Sequence, residues 1–563
     1  MTTMTRGAYA LPGTTLDYHT GSWRVQRPEH RHRAAPCHHA CPAGEDAQAW
    51  LALIAEGNRR AAWEKLIEAN PLPAITGRVC HHPCESACNR SQYDEAIAIH
   101  ACERVLGDEA IANNWRYPVD APSGNAPVVA IVGAGPAGLS CAWHLLRHGI
   151  KSVLFDELPQ AGGTLGTAIP AYRLPRDLLA AETGRLLELS GIDFRPLHRL
   201  GRDISLDQLR QEYAGVFLAP GNQRSREWSV DGVTPRDLHV GLDLLKEWVS
   251  VGDVPPMTSA AIVGGGNTAV DLARALKRAG VAQVHVITHQ TLPRDHVRGD
   301  DAMSAIVREI RQAEEEGVTF HDQRGIRRLM LRGERVVGVE MVRMKKMVRA
   351  NGRMERVAFE GTETVLHVDQ VIPAIGQEVE PFGMEPLLHG QGAFEVDHWG
   401  VVSGHSGLYA GGDARGGHGT VTAAIGDGRR AALALVRHIR GEAPPKERLE
   451  EVIEIGQLNL HYYEHADRAQ EPLLAVGERG LDNEIEGSIE TTGADREAAR
   501  CFSCGNCLAC DNCWTLCPDS AVLKTTELAR DGSHYRFDYD YCKGCGLCAH
   551  ECPCGYIAMG EEV

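Results

Sequence analysis

The sequence predicts an α/β chain. Two interleaved Rossmann-like dinucleotide-binding folds form its middle, a helical cysteine-bearing domain precedes them, and a small α+β cysteine-bearing domain follows. Three observations carry this prediction: a glycine-rich turn at Gly133, a second one at Gly264, and cysteines gathered at the two ends of the chain. The expected division is 1–120 for the helical domain, 121–258 and 373–440 for the two parts of the first dinucleotide fold, 259–372 for the second, 441–495 for a linker and 496–563 for the terminal domain.

Val128 to Val132 is an apolar run of the kind that forms a buried parallel strand. Gly133, Gly135 and Gly138 follow as G-x-G-x-x-G, with Pro136 and Ala137 inside the turn, and Leu139 to Leu146 continues as a helix. The first glycine allows the tight turn, the second lets a pyrophosphate approach the backbone, and the third lets helix pack on strand, so that the helix N-terminus faces the phosphates. A second strand, Ser152 to Phe155, ends in Asp156, 18 residues after Gly138, where a ribose hydroxyl needs an acceptor. The second turn starts 131 residues after the first: strand Ala260 to Val263, then Gly264, Gly265, Gly266, Asn267, Thr268 and Ala269, a helix from Val270 to Ala279 and a strand from Val284 to Thr288. Alanine is an accepted third residue of such a turn. Together the two turns suit one flavin (FAD) and one nicotinamide nucleotide.

A chain of 563 residues should hold three or four domains. No apolar run reaches the ~20 residues needed to cross a membrane. The N-terminus, with Arg6 and no apolar segment behind it, does not read as a secretory signal, so the expected location is cytoplasmic. A formal net charge of −17 argues against nucleic acid as a partner. Of the 18 cysteines, six fall between Cys37 and Cys102 and eleven between Cys501 and Cys554, with Cys141 alone between the groups. Short spacings without an export signal favour metal over disulfides.

Residues up to about Arg33 read as an irregular, partly exposed arm. Cys37-His-His-Ala-Cys41-Pro follows, then apolar residues at helical spacing on either side of Gly57: Trp50, Leu51 and Ile54 before it, Trp63, Leu66 and Ile67 after it. Next come Cys80, Cys84 and Cys88 in G-R-V-C-x3-C-x3-C. Thiolates separated by three residues can converge on one iron–sulfur cube; zinc, helped by His38, His39, His81 and His82, is the alternative. Cys102 reads as a helix-packing thiol. Residues 113–127 form a linker rich in Pro, Gly and Ser. Residues 441–495 are polar and acidic and read as a partly ordered connector, able to reposition, with a short apolar helix near Ile453 to Leu460. In the tail, Cys507, Cys510, Cys513 and Cys517 stand as C-x2-C-x2-C-x3-C-P, and Cys542, Cys545, Cys548 and Cys552 repeat it. This is the bacterial two-cluster ferredoxin spacing, in which each fourth cysteine ligates the other cluster. One 4Fe–4S cluster is expected on Cys507, Cys510, Cys513 and Cys552, the other on Cys542, Cys545, Cys548 and Cys517; Cys501, Cys504 and Cys554 are left over.

The order C-x3-C-P, helical pair, N-P-x-P from Asn70 to Pro73, then G-R-V-C-x3-C-E-x2-C, resembles the N-terminal domain of the glutamate synthase small-subunit family. Gly162-Gly163, the run Ile169 to Pro175 that includes Arg173, Val216 to Gly221, Val371 to Gln377, Gly407 to Asp413 and Thr420 to Arg430 resemble that family's flavin-wrapping and closing motifs. The resemblance covers roughly residues 35–440. It implies that Gly163, Arg173, Gly412 and Asp413 lie against FAD, and that the helix beginning at Thr420 and Val421 points its N-terminus at the flavin. It also implies one N-terminal 4Fe–4S cluster on Cys41, Cys80 and Cys84, with Cys37, Cys88 or the non-cysteine Glu103 as the fourth ligand. The family's two-cluster members carry two further cysteines upstream of the position of Cys37, and this chain has none there. Relatives that use NADPH have tandem arginines after the second strand of the nicotinamide fold; here His289 and Gln290 stand there, with Arg294 and Arg298 later. NADH is therefore expected over NADPH.

The whole layout resembles the iron–sulfur flavoprotein associated with sulfite reductase, or the electron-input subunit of a 2-oxoacid:acceptor oxidoreductase. It implies an NAD(P)H:acceptor oxidoreductase with FAD and three 4Fe–4S clusters, passing electrons to or from a redox partner such as a 2-oxoacid oxidoreductase, a sulfite reductase or a ferredoxin. The alternatives are a stand-alone flavoenzyme reducing a small molecule and a non-catalytic cluster-bearing scaffold. There is no C-x-x-C beside the flavin of the kind used for disulfide reduction.

Overall fold

In the computed structural model, residues 19–562 are described apart from 232, 236–237, 253–254, 294–300, 349–353, 391, 417–418, 447–449 and 527–532. Arg294 and Arg298 lie outside the described residues.

The first dinucleotide fold is a five-stranded, wholly parallel sheet in the order Leu408–Ala410, Val216–Leu218, Val128–Val132, Lys151–Phe155, Ile192–Arg195. The last strand in sequence thus joins the edge beside Val216–Leu218, and the chain leaves this fold and returns to it. The excursion is the second sheet, four parallel strands in the order Gln370–Pro373, Ser259–Val263, Gln283–Ile287, Thr319–His321. Both sheets are apolar through the middle because helices cover both faces of a parallel sheet: Val129 to Ile131 and Ala260 to Ile262 are fully buried. A three-stranded antiparallel sheet, Arg324–Arg332, Arg335–Val348 and Met354–Leu366, is inserted before the chain returns. It has no counterpart in the sequence reading; its long strands carry exposed and charged residues on a half-solvated surface, so no apolar run announces them.

In the N-terminal domain, helices Ala47–Ala55 and Arg59–Leu66 take the two apolar groups, with Gly57 at φ +78° in the turn between them. Asp46 and Asn58 cap them by accepting the N–H groups of Ala49 and Ala61. Trp50, Ile54, Trp63 and Leu66 are fully buried, each worth about 1.5–3 kcal/mol of transfer free energy. Helices Pro73–Val79 and Ile99–Ala112 complete the domain, and Cys102 is buried on the latter, as a packing thiol would be. The domain seats on the flavin fold through the helix Val421–Ile439: a Cβ on Gly426 would stand 1.9 Å from the carbonyl oxygen of Pro42.

Two segments differ from the sequence reading. The arm before Arg33 is not irregular throughout: Gln26–His30 is a strand paired antiparallel with Ile557–Glu561 at the other end of the chain. It has no apolar alternation because its partner provides the order, with the Arg24 guanidinium on Glu562 and the Tyr539 hydroxyl donating to the Pro28 carbonyl. The stretch read as a connector is laid across three domains. The apolar helix expected near Ile453 to Leu460 is two short 3₁₀ turns, Ile455–Gln457 and Leu460–Tyr462. Beyond it Arg468 pairs with Glu85, Glu471 with His100, Glu484 with Arg78 and Arg104, and Arg479 with Glu315 and Glu316. The polar composition that suggests solvation supplies the counter-charges for buried arginines instead. The helix Thr491–Arg500 then packs on the N-terminal domain, where Glu497 accepts the Ala98 N–H.

Candidate functional site

The two glycine-rich turns have matching geometry. At the first, the Gly133 N–H donates to Phe155 O at 2.8 Å and φ is +102°; a Cβ there would lie 2.1 Å from Ala219 O. A Cβ on Gly138 would lie 1.9 Å from Gly133 O and 3.2 Å from Ile131, so the helix Pro136–Arg147 rests directly on the strand. A Cβ on Gly135 would meet only Gly163 Cα at 4.0 Å, leaving that position open to a ligand. At the second turn the Gly264 N–H donates to Ile287 O, its Cβ would meet Ala374 O at 2.3 Å, and Gly266 is again open. Helix Asn267–Arg278 follows, with Ala269 fully buried against the sheet.

A cavity of about 560 Å³ opens over the first turn. Gly133, Gly135, Pro136, Ala137, Asp156, Gly163, Gly412, Asp413, Thr420 and Val421 all lie on its wall; Gly138 is behind the wall, packing helix on strand. Asp156 is buried; its carboxylate accepts the Ala134 and Leu158 N–H groups at 2.6 and 2.8 Å, and burial pushes its pKa up. Asp413 is likewise raised, by burial first and by the neighbouring Asp427 second. Thr420 caps the helix Val421–Ile439 by accepting the Ala423 N–H, so this helix also starts at the cavity. Arg173 reaches the wall, but its guanidinium is held by Asp271 at 2.8 Å and Glu309 at 3.3 Å, which makes it a tie between the two dinucleotide folds.

A second cavity, of about 700 Å³, lies over Gly264, Gly266, Asn267 and Thr268. It shares His81, Asn267, Thr268, Gln377 and Gly419 with the first, so ligands in the two can meet. His289 and Gln290 line it as expected, and so do Arg324 and Arg327, which come from the inserted antiparallel sheet and which sequence spacing did not bring to notice.

The cysteines fall into separate sets. Cys41, Cys80 and Cys84 are electrostatic neighbours of one another, and Glu103 and Glu45 lie beside Cys41 and Cys80. Glu103 is buried and its pKa is raised, by burial first and Glu45 second, while Thr76 and Asn70 hydrogen-bond to it. Cys80 Sγ lies 3.7 Å from Thr422 Oγ1, in the first turn of the helix that starts at the flavin-fold cavity. In the tail, one small cavity is lined by Cys507, Cys510, Cys513, Cys552 and also Cys554, whose Sγ lies 3.8 Å from that of Cys552, and another by Cys517, Cys542, Cys545 and Cys548. Among the described residues no three thiols come within 4.8 Å of one another. The one group within that limit, His82, Glu85 and His100, is an ion network: His100, raised to about 9 chiefly by Glu85 against the effect of burial, donates to Glu85 and Glu471.

Residues 127–428 match the family model described as "Pyridine nucleotide-disulphide oxidoreductase", and the chain belongs to that family. Residues 30–115 match "Dihydroprymidine dehydrogenase domain II, 4Fe-4S cluster". The protein is an NAD(P)H-dependent iron–sulfur flavoprotein oxidoreductase. Among characterised proteins it is 33% identical over 508 residues to the NADP(+)-dependent formate dehydrogenase subunit beta of Moorella thermoacetica, covering 84% of this chain and 70% of that one. It is 33% identical over 538 residues to the NADPH-Fe(3+) oxidoreductase subunit beta of Geobacter sulfurreducens, covering 87% and 78%. It is 32% identical over 422 residues to the small chain of glutamate synthase [NADPH] of Escherichia coli, covering 70% and 87%. No helix among the described residues is long and apolar enough to cross a membrane.

Proposed function

We propose that the chain is the nicotinamide-side electron-transfer subunit of a larger redox enzyme. It exchanges electrons with NAD(P)H at FAD and passes them singly, through 4Fe–4S clusters, to or from a partner of the 2-oxoacid oxidoreductase, sulfite reductase or ferredoxin type. Bound flavin supplies the chemistry that joins a two-electron donor to one-electron carriers. The observation that carries the reading is the convergence at Thr422: the helix that starts at the flavin cavity touches Cys80, and His81 lines both cavities.

The residues have separable tasks. The N-termini of helices Pro136–Arg147 and Asn267–Arg278 receive the two pyrophosphates, with Gly135 and Gly266 leaving room. Asp156, at the end of its strand, accepts from the adenosine ribose of FAD, and Asp413 from the ribityl region. Cys41, Cys80 and Cys84 hold the cluster nearest the flavin, with Glu103 as fourth ligand. Glu103 stands beside Cys80 and Cys41, whereas Cys37, though near Cys84, has Cys501, Cys88 and Cys504 as its main neighbours. The C-terminal domain, read as a two-cluster ferredoxin, holds the other two on the crossed sets, a reading supported by the two cysteine-lined cavities.

His289 and Gln290 motivated NADH. Arg324 and Arg327 on the same wall supply guanidinium groups for a 2′-phosphate, and relatives carry NADPH in their names. The cavity is therefore read as accepting both nucleotides, with NADPH held by these two arginines. The testing experiment is anaerobic stopped-flow of the full chain with either nucleotide. Flavin bleaching followed by cluster bleaching is expected; flavin bleaching alone, with turnover of a small molecule, would support a stand-alone flavoenzyme instead.

A further inference from the structure

We propose that Cys37, Cys88, Cys501 and Cys504 form a fourth iron–sulfur site, assembled from opposite ends of the chain and lying between the flavin-side cluster and the tail. The sequence reading left Cys501 and Cys504 unassigned and gave no second cluster to the N-terminal domain. The fold delivers both cysteines there. Helix Thr491–Arg500 packs on the N-terminal helices and ends at Cys501. Gln48 Nε2 donates to Ser503 Oγ at 2.8 Å, and Asn89 Nδ2, next to Cys88, lies 3.6 Å from Cys504 Sγ. Arg90 donates to the carbonyl of Arg500, the residue before Cys501. Cys37 is buried in the same apolar cluster against which Cys88, Cys501 and Cys504 pack. Every pairing among the four thiols is close enough to be felt electrostatically.

The backbone around Cys501 repeats that of the other ligand loops. Ser503 stands at φ +49° and donates its N–H to Cys501 Sγ at 3.4 Å. His82, at φ +52°, donates to Cys80 Sγ at 3.3 Å. Ala509, at φ +52°, donates to Cys507, and Gly544, at φ +69°, to Cys542. A positive φ is uncommon in non-glycine residues. It recurs two residues after Cys80 and Cys507, on His82 and Ala509, and a glycine holds the same place after Cys542, so the Cys501 loop repeats one device, an N–H aimed at a ligating sulfur. The quartet's neighbours fix its place. Cys84 of the flavin-side set is near Cys37. On the other side the Gly505 N–H donates to Cys554 O at 2.7 Å, and Tyr463 is flanked by Cys501 and Cys504 on one hand and Cys552 and Cys554 on the other.

The inference rests on the reading that the other three sets hold clusters, and the experiment separates the two. Iron and acid-labile sulfide are measured on anaerobically purified full-length protein, with electron paramagnetic resonance spin counting after dithionite reduction. Four cubes give about sixteen irons per chain, three about twelve. The expected result is about sixteen irons and four spins. The variants C37A, C88A and the double variant C501A/C504A should each lose the same four irons and the same signal, while C102A loses none. About twelve irons and three spins in the unaltered protein would overturn the fourth site and leave the rest standing. Iron near zero would overturn the wider reading as well. Because spin counting on the unaltered protein needs no variant, misfolding of the variants would not rescue the proposal.

Discussion

Gly135 and Gly138 stand three residues apart in one turn, yet exchanging each for alanine should affect the stability of the flavin-free fold differently. At Gly138 a methyl group would be 1.9 Å from Gly133 O, a backbone atom fixed by the strand, so the helix Pro136–Arg147 must lift away by more than an ångström. Overpacking of this kind costs roughly 1–3 kcal/mol or more when backbone must move, and lifting the helix also withdraws its N-terminus from the phosphates. Gly135 sits at φ −77°, ψ −175°, extended backbone open to any residue, and its methyl would meet nothing closer than 4.0 Å. Alanine there should leave the flavin-free fold unharmed or stabilise it by about 0.4–1 kcal/mol through the unfolded state. It would occupy the space a pyrophosphate needs. A bound ligand adds about 2.7 kcal/mol at a hundredfold excess over Kd; G135A should lose most of that gain. The assay is urea unfolding with and without added FAD, together with the flavin-to-protein ratio. Flavin-free G138A should be clearly less stable than the unaltered protein, and G135A equal or better; both should bind FAD poorly. If G135A kept full flavin occupancy, the pyrophosphate would not lie over this turn. If flavin-free G138A matched the unaltered stability, the close helix–strand approach would not be a feature of the molecule.

Three further predictions follow from the site. The double variant R324A/R327A should lose at least tenfold in kcat/KM for NADPH relative to NADH in a dye assay; an equal loss with both nucleotides would assign the arginines to the fold. C545A should remove one tail cluster and slow reduction of a protein partner while flavin bleaching by NAD(P)H stays nearly unchanged, as stopped-flow on two wavelengths would show; equal slowing of both would place the tail in flavin assembly. E484A takes an ion-pair partner from Arg78 and Arg104, whose side chains are 6% and 5% exposed, leaving them to share Asp108. Since Asp108 still serves both arginines, the loss should fall below the roughly 3 kcal/mol of a fully unpaired buried charge, at about 1–2 kcal/mol in chemical denaturation; a change within experimental error would mean that the segment around Glu484 is not clamped.

The legible parts of the fold were those whose chemistry is local. The strand Val128–Val132 carries its own apolar run, and the turns their own glycines. What was not legible depends on partners distant in sequence. The strand Gln26–His30 is polar and becomes a strand only because Ile557–Glu561 lies beside it. Glu484 and Arg479 look like solvated charge until Arg78, Arg104 and Glu316 are found opposite them. Arg324 and Arg327 reach the cavity over Gly264 from an insertion that no motif announces. Cys501 and Cys504 fit no cluster spacing alone, because their companions are near the other terminus. The signal that could have found them was arithmetic: two cysteines missing upstream of Cys37, and two in excess before Cys507.

The pairing of the two chain ends also sets an order of biosynthesis. A ribosome releases the strand Gln26–His30 and the thiols of Cys37 and Cys88 long before their companions exist; Asn89 and Cys504, which touch in the finished protein, are 415 residues apart. At ~5–20 residues per second that interval is roughly 20–80 s. Through it the helical domain carries an unpaired strand edge and unligated sulfur, both open to wrong partners and to oxidants. Maturation of the N-terminal domain therefore has to wait for residues 501–561, and a chain terminated before them would hold its dinucleotide folds but leave the strand Gln26–His30 unpaired.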